Sequence, residues 1–460
     1  MKRRLFLQAT IVTAGSTALG MGCGGGDETP ETTPDASTGA DGTDPVGEPE
    51  DGTPVDGARF PQGIASGDPS STSVILWTRL GLIEDGDGSV DLEMALDPGF
   101  TELLAQGEGT QTTLVAEAIF DHCVKVRMEG LEAGTTYYYR FLYGDEEDRV
   151  SSPVGQTRTA PDAGDDRAVR FAVASCQDYV GRYYNSYRRL AQEDVDFVLH
   201  LGDYVYETTG DDAFQDADSE RAITFRHPEE AIVFGEGTDG EYYAARSLNN
   251  YRDLYRTFRG DPDLQAVHAR APFINIWDDH EFSDDCHGAH AVYFNDSEED
   301  LDVDRRQAAN QAWFEYMPVD YPGDPDFRYD PQVAFPGDLR IYRDLPYGKH
   351  LHLALTDLRT HRADHLIPER GYPGALALTE EELLDVFGEI PEGADPYIDV
   401  DTWAGGIYSQ HLIAGGATEE EATGLVSARW INQILAALKE DLGEAFTTPL
   451  FAEEDFKTMS

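Results

Sequence analysis

Three short polar runs each follow a stretch of apolar residues: Ala174-Ser175-Cys176-Gln177-Asp178, Leu201-Gly202-Asp203-Tyr204-Val205-Tyr206-Glu207 and Trp277-Asp278-Asp279-His280-Glu281. Singly, each has an ordinary explanation. A Cys after a strand is usually a small buried hydrophobe, Gly-Asp is usually a turn, and Asp-Asp before His can cap a helix. Brought together they change meaning, because clustered carboxylates repel one another unless a cation neutralises them. A multivalent metal centre is the economical reading. Thiolate and phenolate suit a highly charged transition metal that depresses both pKa values, and carboxylates also suit a hard ion such as Ca²⁺.

The elements that would position these runs are legible around them. Val169 to Ser175 and Val195 to Leu201 are nearly continuous apolar strands, Asn185 to Glu193 has helical period, and Phe273 to Trp277 and Leu351 to Leu355 read as two more strands. Strands alternating with helices predict an α/β sheet covered by helices, and in such sheets the site forms at the carboxyl ends of the strands. Before this body the pattern differs. Ser73 to Thr78, Val90 to Ala95, Val124 to Met128 and Tyr137 to Tyr143 are period-two strands between turn signals. Gly130 to Arg140 resembles the corner before a late strand of fibronectin type III sandwiches, so an all-β fibronectin/Ig-like sandwich is expected over residues 58–163, with the α/β domain over 164–460.

Composition excludes one class of partner. The 460 residues carry 88 acids against 34 Lys and Arg, a formal charge of −54, and only five of those cations are Lys. No nucleic-acid-binding surface is expected. Most of the surplus reads as solvation that keeps the protein soluble, with a saline habitat or attraction of metal cations as alternatives. Hydrophobic content of 40% places the body among globular chains despite the charge.

The N-terminus reads as an address. Arg3-Arg4-Leu5-Phe6-Leu7, followed by an apolar run to Gly22, resembles a twin-arginine signal peptide over residues 1–23. Leu19-Gly20-Met21-Gly22-Cys23 is similar to a lipoprotein box, with the Leu four residues before the Cys instead of three. Lipidation of Cys23 would attach the protein to a membrane; plain cleavage near Gly22 would free it. Residues 24–57 hold ten acids, five prolines and no Lys or Arg, which predicts a disordered tether.

The chain resembles the PhoD-like alkaline phosphatases of the metallophosphatase superfamily. The likeness runs from about residue 58 to 440. It rests on Phe60-Pro61-Gln62-Gly63-Ile64-Ala65-Ser66-Gly67-Asp68-Pro69, Val74 to Leu80, the three polar runs, Tyr251 to Arg256, Asp261 to Gln265 and Arg305 to Trp313. Trp277 to Glu281 is the most discriminating piece. The resemblance implies Cys176, Asp203 and Tyr206 as ligands of Fe³⁺, with Asp203 bridging to Ca²⁺, and Asp279 in the position of the superfamily's second-metal Asn or Asp. It implies that His280 contacts phosphate and protonates or stabilises the leaving oxygen. The reaction implied is hydrolysis of phosphate mono- and diesters outside the cytoplasm by metal-activated hydroxide, with no covalent nucleophile.

Relatives of this kind continue, after a helix resembling Val426 to Leu438, into a late histidine-bearing segment that this sequence lacks. A C-terminally truncated domain with exposed apolar sheet edge is therefore expected, and Asp357 or His361 is the alternative source of late ligands. A surface-tethered metal- or phosphate-binding protein without turnover is the second functional reading. Cys123 and Cys286 are expected as separate buried thiols rather than a disulfide.

Overall fold

The computed structural model describes residues 49–362, other than 84–85, 105–112, 181–182, 212–214, 216–219, 239, 292–300 and 320–328, together with 397–399, 410 and 425–427. By its contacts the chain divides into two units, residues 41–363 and residues 1–40 with 364–460. The first contains β1 (Ile64–Gly67), β2 (Ser73–Arg79), β3 (Gly88–Ala95), β4 (Thr113–Ala116), β5 (Cys123–Glu129), β6 (Thr136–Tyr143), β7 (Val150–Ser151) and β8 (Gly155–Arg158). After these come β9 (Phe171–Ala174), α1 (Asn185–Leu190), β10 (Phe197–His200), β11 (Thr208–Thr209), β12 (Ile232–Phe234), β13 (Tyr242–Ala244), α2 (Leu248–Phe258), α3 (Pro262–His268), β14 (Phe273–Asn275), α4 (Val303–Tyr316), β15 (Arg343–Tyr347) and β16 (Leu351–Leu355).

One layer of the sandwich is the sheet β4-β3-β6-β7, with β8 also paired to β6. The other layer does not stop at the sandwich. Its strands run β5-β2-β1-β14-β10-β9, so the antiparallel strands of the β domain and the parallel strands of the α/β domain form one six-stranded sheet. The sandwich and the α/β domain expected from the sequence share this sheet: β1 pairs parallel with β14 at Gly67 and Phe273. Sequence pattern explains how. Along β2 the residues Val74 and Leu76 face the sandwich core with Val90, Leu92, Tyr139 and Phe141, while Trp77 packs into the other core with Tyr255, Phe273 and Tyr316. A strand buried on both faces is a strand of a covered sheet. Glycine makes the seam close: a Cβ at Gly67 would lie 2.1 Å from the Pro318 carbonyl and 2.7 Å from that of Phe273.

One face of the parallel strands is covered by α1, α2, α3 and α4, through Tyr187, Tyr251, Leu254, Phe258, Leu264, Ala312 and Trp313. On the other face Phe197, Leu199 and Ile274 pack against Tyr347 and Leu355. Leu351–Leu355 is therefore a strand, as expected, but it belongs to an antiparallel hairpin with β15 laid over the sheet. Gly348, with φ of 64°, permits the reversal. β9 ends the sheet among the described residues and exposes Phe171 and Val173, as an uncovered apolar edge should.

Three expectations meet corrections at their margins. The tether was expected to run to 57, yet Val55 bridges Ser151, Asp56 N–H donates to the Ser151 carbonyl, and Asp51 pairs with Arg140 at 2.7 Å, so residues 49–57 are held against the sandwich. The helix α1 stops at Leu190, three residues early, and in the second unit β17 (Tyr397–Asp399) pairs antiparallel with β18 (Leu425–Ser427), so Val426 begins no helix. Residues 1–48, including Cys23, and 428–460 lie outside the described residues. Cys123, Cys176 and Cys286 are free thiols, with Cys286 buried and Cys123 half-buried.

Charge is buried where the two halves meet. Asp121 accepts from Arg79 Nε at 2.9 Å, from Arg256 Nε at 2.8 Å and from the Tyr316 hydroxyl. Burial alone would raise this carboxyl, but the two guanidinium groups hold it well below the usual range. Removing one partner of such a cluster leaves the others buried and unpaired. Asp121→Ala is expected to lower the unfolding free energy by about 3–5 kcal/mol in urea titration. A loss below about 1 kcal/mol would mean that the cluster is screened like a surface pair.

Candidate metal centre

The parallel strands end in register: Ala174 lies opposite His200, and His200 opposite Asn275. The polar runs therefore emerge side by side at one sheet edge. Cys176 and Asp203 both adopt left-handed backbone, with φ of 55° and 53°. Such conformations in non-glycine residues are held in place by their surroundings. Here Cys176 N–H donates to the Gly202 carbonyl at 3.2 Å and Gln177 N–H to the Asp203 carbonyl at 3.1 Å. Gly202 has φ of 103°, and a Cβ there would sit 2.3 Å from Asp278 N. The first and second turns are thus tied by backbone hydrogen bonds, and the second and third by the absence of a side chain.

Buried polar groups lock the turns from below. Glu281 accepts from Asp203 N–H at 3.1 Å, Tyr204 N–H at 2.6 Å and Asp278 N–H at 2.8 Å. Burial, reinforced by Asp203, pushes its carboxyl up to about 8. Gln177 donates to the Tyr204 carbonyl at 2.9 Å and accepts from the Tyr187 hydroxyl at 2.6 Å, with His200 Nε2 at 3.1 Å. Tyr204 reaches on to His268 Nε2 at 2.7 Å.

Above this platform Cys176 Sγ lies 3.3 Å from Asp203 Oδ2. Tyr206 stands beside the same thiol, and its ring packs 4.4 Å from the His280 ring. One ligand atom each of Asp203, Asp279 and His280 falls within 4.8 Å of the others. Asp203 Oδ1 is buried without a hydrogen-bond partner among the described residues. Such an orphaned oxygen costs free energy unless a cation or proton meets it. Burial pushes Asp203 up to about 6, with His280 opposing and Asp279 and Asp278 adding to the rise. Burial also raises Cys176, and raises Tyr206 together with the Asp203 charge. The donor set fits a metal ion: thiol, phenol and carboxylate converge, each carrying a proton affinity that a bound cation would lower.

Burial works against the charged form of Asp279, yet His280 and Arg359 hold it lower than usual. Arg359 spans the acids of the third turn, 2.6 Å from Asp278, 3.5 Å from Asp279 and 3.2 Å from Asp285. Burial opposes the charge on His280, but Glu207, Asp279 and Asp203 outweigh it and raise the imidazole to about 11. A cavity of about 520 Å³ opens beside Cys176, lined also by Val173, Asp178, Tyr183, Ser186 and Leu190.

All five residues singled out from the sequence, Cys176, Asp203, Tyr206, Asp279 and His280, meet at this edge. The alternative late ligands do not join them. Asp357 accepts from the Trp277 indole at 3.1 Å and from Thr360 N–H at 2.8 Å, and His361 packs on Tyr342. Glu207, Glu281, Gln177 and Arg359 were missed as individuals, although the first three lie inside the polar runs. Their signal was a charged or amide side chain in the turn that follows an apolar strand, three residues past the strand end for Gln177, seven for Glu207, six for Glu281 and four for Arg359.

Two outcomes check this geometry. Gly202→Ala is expected to lower the melting temperature and weaken metal uptake at least about tenfold, because the new methyl separates two ligand-bearing turns. Burial lowers His200 to about 3, whereas an unfolded His titrates near its ordinary value of 6.5. The unfolded chain therefore takes that proton first, so the stability conferred by neutral His200 is complete above about pH 6.5 and is lost as pH falls toward 3. Urea unfolding of His200→Gln should show a shallower decline than the wild type across that window; equal slopes would remove His200 from the acid response.

Family comparisons agree with the architecture. The PhoD-like phosphatase model matches residues 171–389, and the model of its N-terminal domain matches residues 48–161. Alkaline phosphatase D of Bacillus subtilis (strain 168) is 34% identical over 316 residues, covering 66% of this chain and 47% of that protein. The chain thus spans about half the length of this curated relative. The solved structure of PhoD superposes with a TM-score of 0.54 at 28% identity, over 82% of this chain and 60% of that one. A purple acid phosphatase from yellow lupin seeds gives a TM-score of 0.31 at 12% identity, over 54% of this chain and 39% of that one.

Proposed function

Because the chain belongs to the PhoD-like phosphatase family, we propose that it is a metal-dependent phosphoric ester hydrolase acting on phosphate mono- and diesters. The observation that carries this reading is the buried Asp203 carboxylate. One of its oxygens faces the Cys176 thiol at 3.3 Å, the other has no partner, and Asp279 and His280 lie within reach.

Cys176, Asp203 and Tyr206 would hold one ion, for which iron(III) suits the thiol and phenol, and Asp203 with Asp279 would hold Ca²⁺. Bound there, the ions would supply charge neutralisation of the phosphoryl oxygens and acidify a water. The protein's own groups do the rest. Cys176 and Asp203 are fixed by left-handed turns, so the donors need no rearrangement on loading. His280, kept cationic beside three carboxylates, orients phosphate and delivers a proton to the departing oxygen. The cavity beside Cys176 offers the organic part of the ester room next to the centre.

Export to the periplasm or cell surface, with attachment through Cys23, follows from the paired arginines and the lipobox-like run and is part of the same proposal. It is tested by fractionation of the full chain and of Cys23→Ala: the wild type should partition with membranes and the variant should be released.

The chemistry is tested with purified protein, iron and Ca²⁺, on 4-nitrophenyl phosphate and its bis-diester. Turnover should vanish on chelation and return on adding the metals. Asp203→Ala should lower it on the order of a hundredfold or more, since the centre is asked for several kcal/mol of transition-state stabilisation. Activity indifferent to both treatments would sink the mechanism, and stoichiometric metal uptake without hydrolysis would leave a binding protein.

A further inference from the structure

Glu207 is among the most enclosed acids of the described residues. Its side chain is fully buried, and both oxygens are engaged. Oε2 lies 2.7 Å from His280 Nδ1, and Oε1 accepts from the Asp284 backbone N–H at 2.7 Å. A carboxylate placed in this way is not available to a metal ion. Among the described residues its one side-chain partner is the imidazole, and a buried carboxylate of this kind costs free energy unless that partner stays in place.

The consequence falls on the imidazole. With Nδ1 committed inward to Glu207 and the ring packed against Tyr206, Nε2 is the other ring nitrogen. Nε2 lies 3.5 Å from Asp284 Oδ1, and the side chains of His280 and Asp284 are each about one fifth exposed while Glu207 is not exposed at all. Which ring nitrogen meets a reactant is set by the hydrogen bond that the other one makes.

We propose that Glu207 is the positioning residue for His280, fixing Nδ1 as the inner nitrogen so that Nε2 alone meets the leaving oxygen of the ester. This deepens the phosphoric ester hydrolase reading and rests on it. In the step concerned, the phosphorus–oxygen bond to the alcohol breaks, its electron pair stays on that oxygen, and the Nε2 proton passes to it. Water supplies the oxygen that replaces the alcohol on phosphorus, its proton passes to solvent, and Nε2 is reprotonated from solvent. Glu207 keeps its charge throughout and transfers nothing.

The experiment compares an activated ester, 4-nitrophenyl phosphate, with an unactivated alkyl phosphate, using the full metal-loaded chain. A nitrophenolate departs with little help, whereas an alkoxide needs the proton. Glu207→Gln is isosteric and retains one acceptor, so it carries the test if Glu207→Ala fails to fold. Glu207→Gln should lower kcat/KM for the alkyl ester about tenfold more than for the nitrophenyl ester, with metal content unchanged. In a His280→Ala background the same substitution should add no further loss, because the residue acts through the ring. Equal losses for both esters, or a loss that multiplies with His280→Ala, would overturn the inference while leaving the hydrolase reading intact. Wild-type protein that turns over neither ester would overturn both.

Discussion

Everything at the sheet edge answers to one constraint: several carboxylates are held close together with too little water to screen them. Asp203, Asp279 and Glu281 are all buried, with Asp278 half-exposed beside them. In water, charges at this spacing would turn apart. Here they cannot, because Glu281 is pinned by three backbone N–H groups, Asp203 sits in a left-handed turn, and Gly202 lets Asp278 approach where any side chain would collide. The repulsion is therefore built into the backbone and has to be met from outside. His280 and Arg359 meet part of it. Burial first, and the remaining repulsion after it, raise the proton affinity of Asp203 and Glu281, as expected of a site that can take more positive charge than the protein itself supplies.

The same accounting sharpens the overall charge of −54. A globally acidic chain lowers the cost of concentrating cations near its surface but does not choose where they bind. Selection is local. Arginines elsewhere are spent on buried acids of structural importance, as Arg79 and Arg256 are on Asp121 and Arg252 on Glu315. At the centre, by contrast, the Asp203 oxygen Oδ1 is left without any partner. Most described buried acids are answered by arginine; Asp203, like Glu207, Glu281 and Asp338, is not, and it is the one of these whose oxygen faces the thiol and carboxylates of the candidate centre.

Much of this was legible in the residues because strand ends are strongly marked. A run of apolar residues that stops at Gly-Asp or Trp-Asp-Asp fixes both the strand and the place where its polar cargo emerges, and parallel register then brings the cargo together. What was not legible depends on tertiary neighbours. Val74, Leu76 and Trp77 read as an alternating strand, but nothing in their types says that the second face meets a helix layer; only the seam at Gly67 reveals that the sandwich sheet and the central sheet are one. Leu351–Leu355 has the same apolar look as β10, and its assignment to a hairpin was decided by a three-residue reversal at Gly348. Glu207 and Glu281 were hidden for a related reason. A buried glutamate looks like a surface glutamate until the groups it serves are known, and those groups are backbone N–H donors and a ring nitrogen contributed by the turns after β10 and β14.

The continuous sheet gives the β-sandwich a role that its lack of polar clusters would not suggest. Arg343, on the hairpin, donates to Asp68 at 2.6 Å and to the Asn275 carbonyl at 2.9 Å, linking the residue after β1 to the last residue of β14. Asn275 is two residues before the Trp277 turn, and Trp277 is in turn held by Asp357 from the hairpin's exit. The position of Asp278, Asp279 and His280 is thus set by strand pairing with β1, by an arginine clamp across the seam, and by the hairpin over the sheet. A sandwich joined only through a flexible linker could impose none of these restraints. Because placement within a fraction of an ångström decides whether a preorganised site works, the sandwich belongs to the candidate centre mechanically even though none of Cys176, Asp203, Tyr206, Asp279 and His280 comes from it.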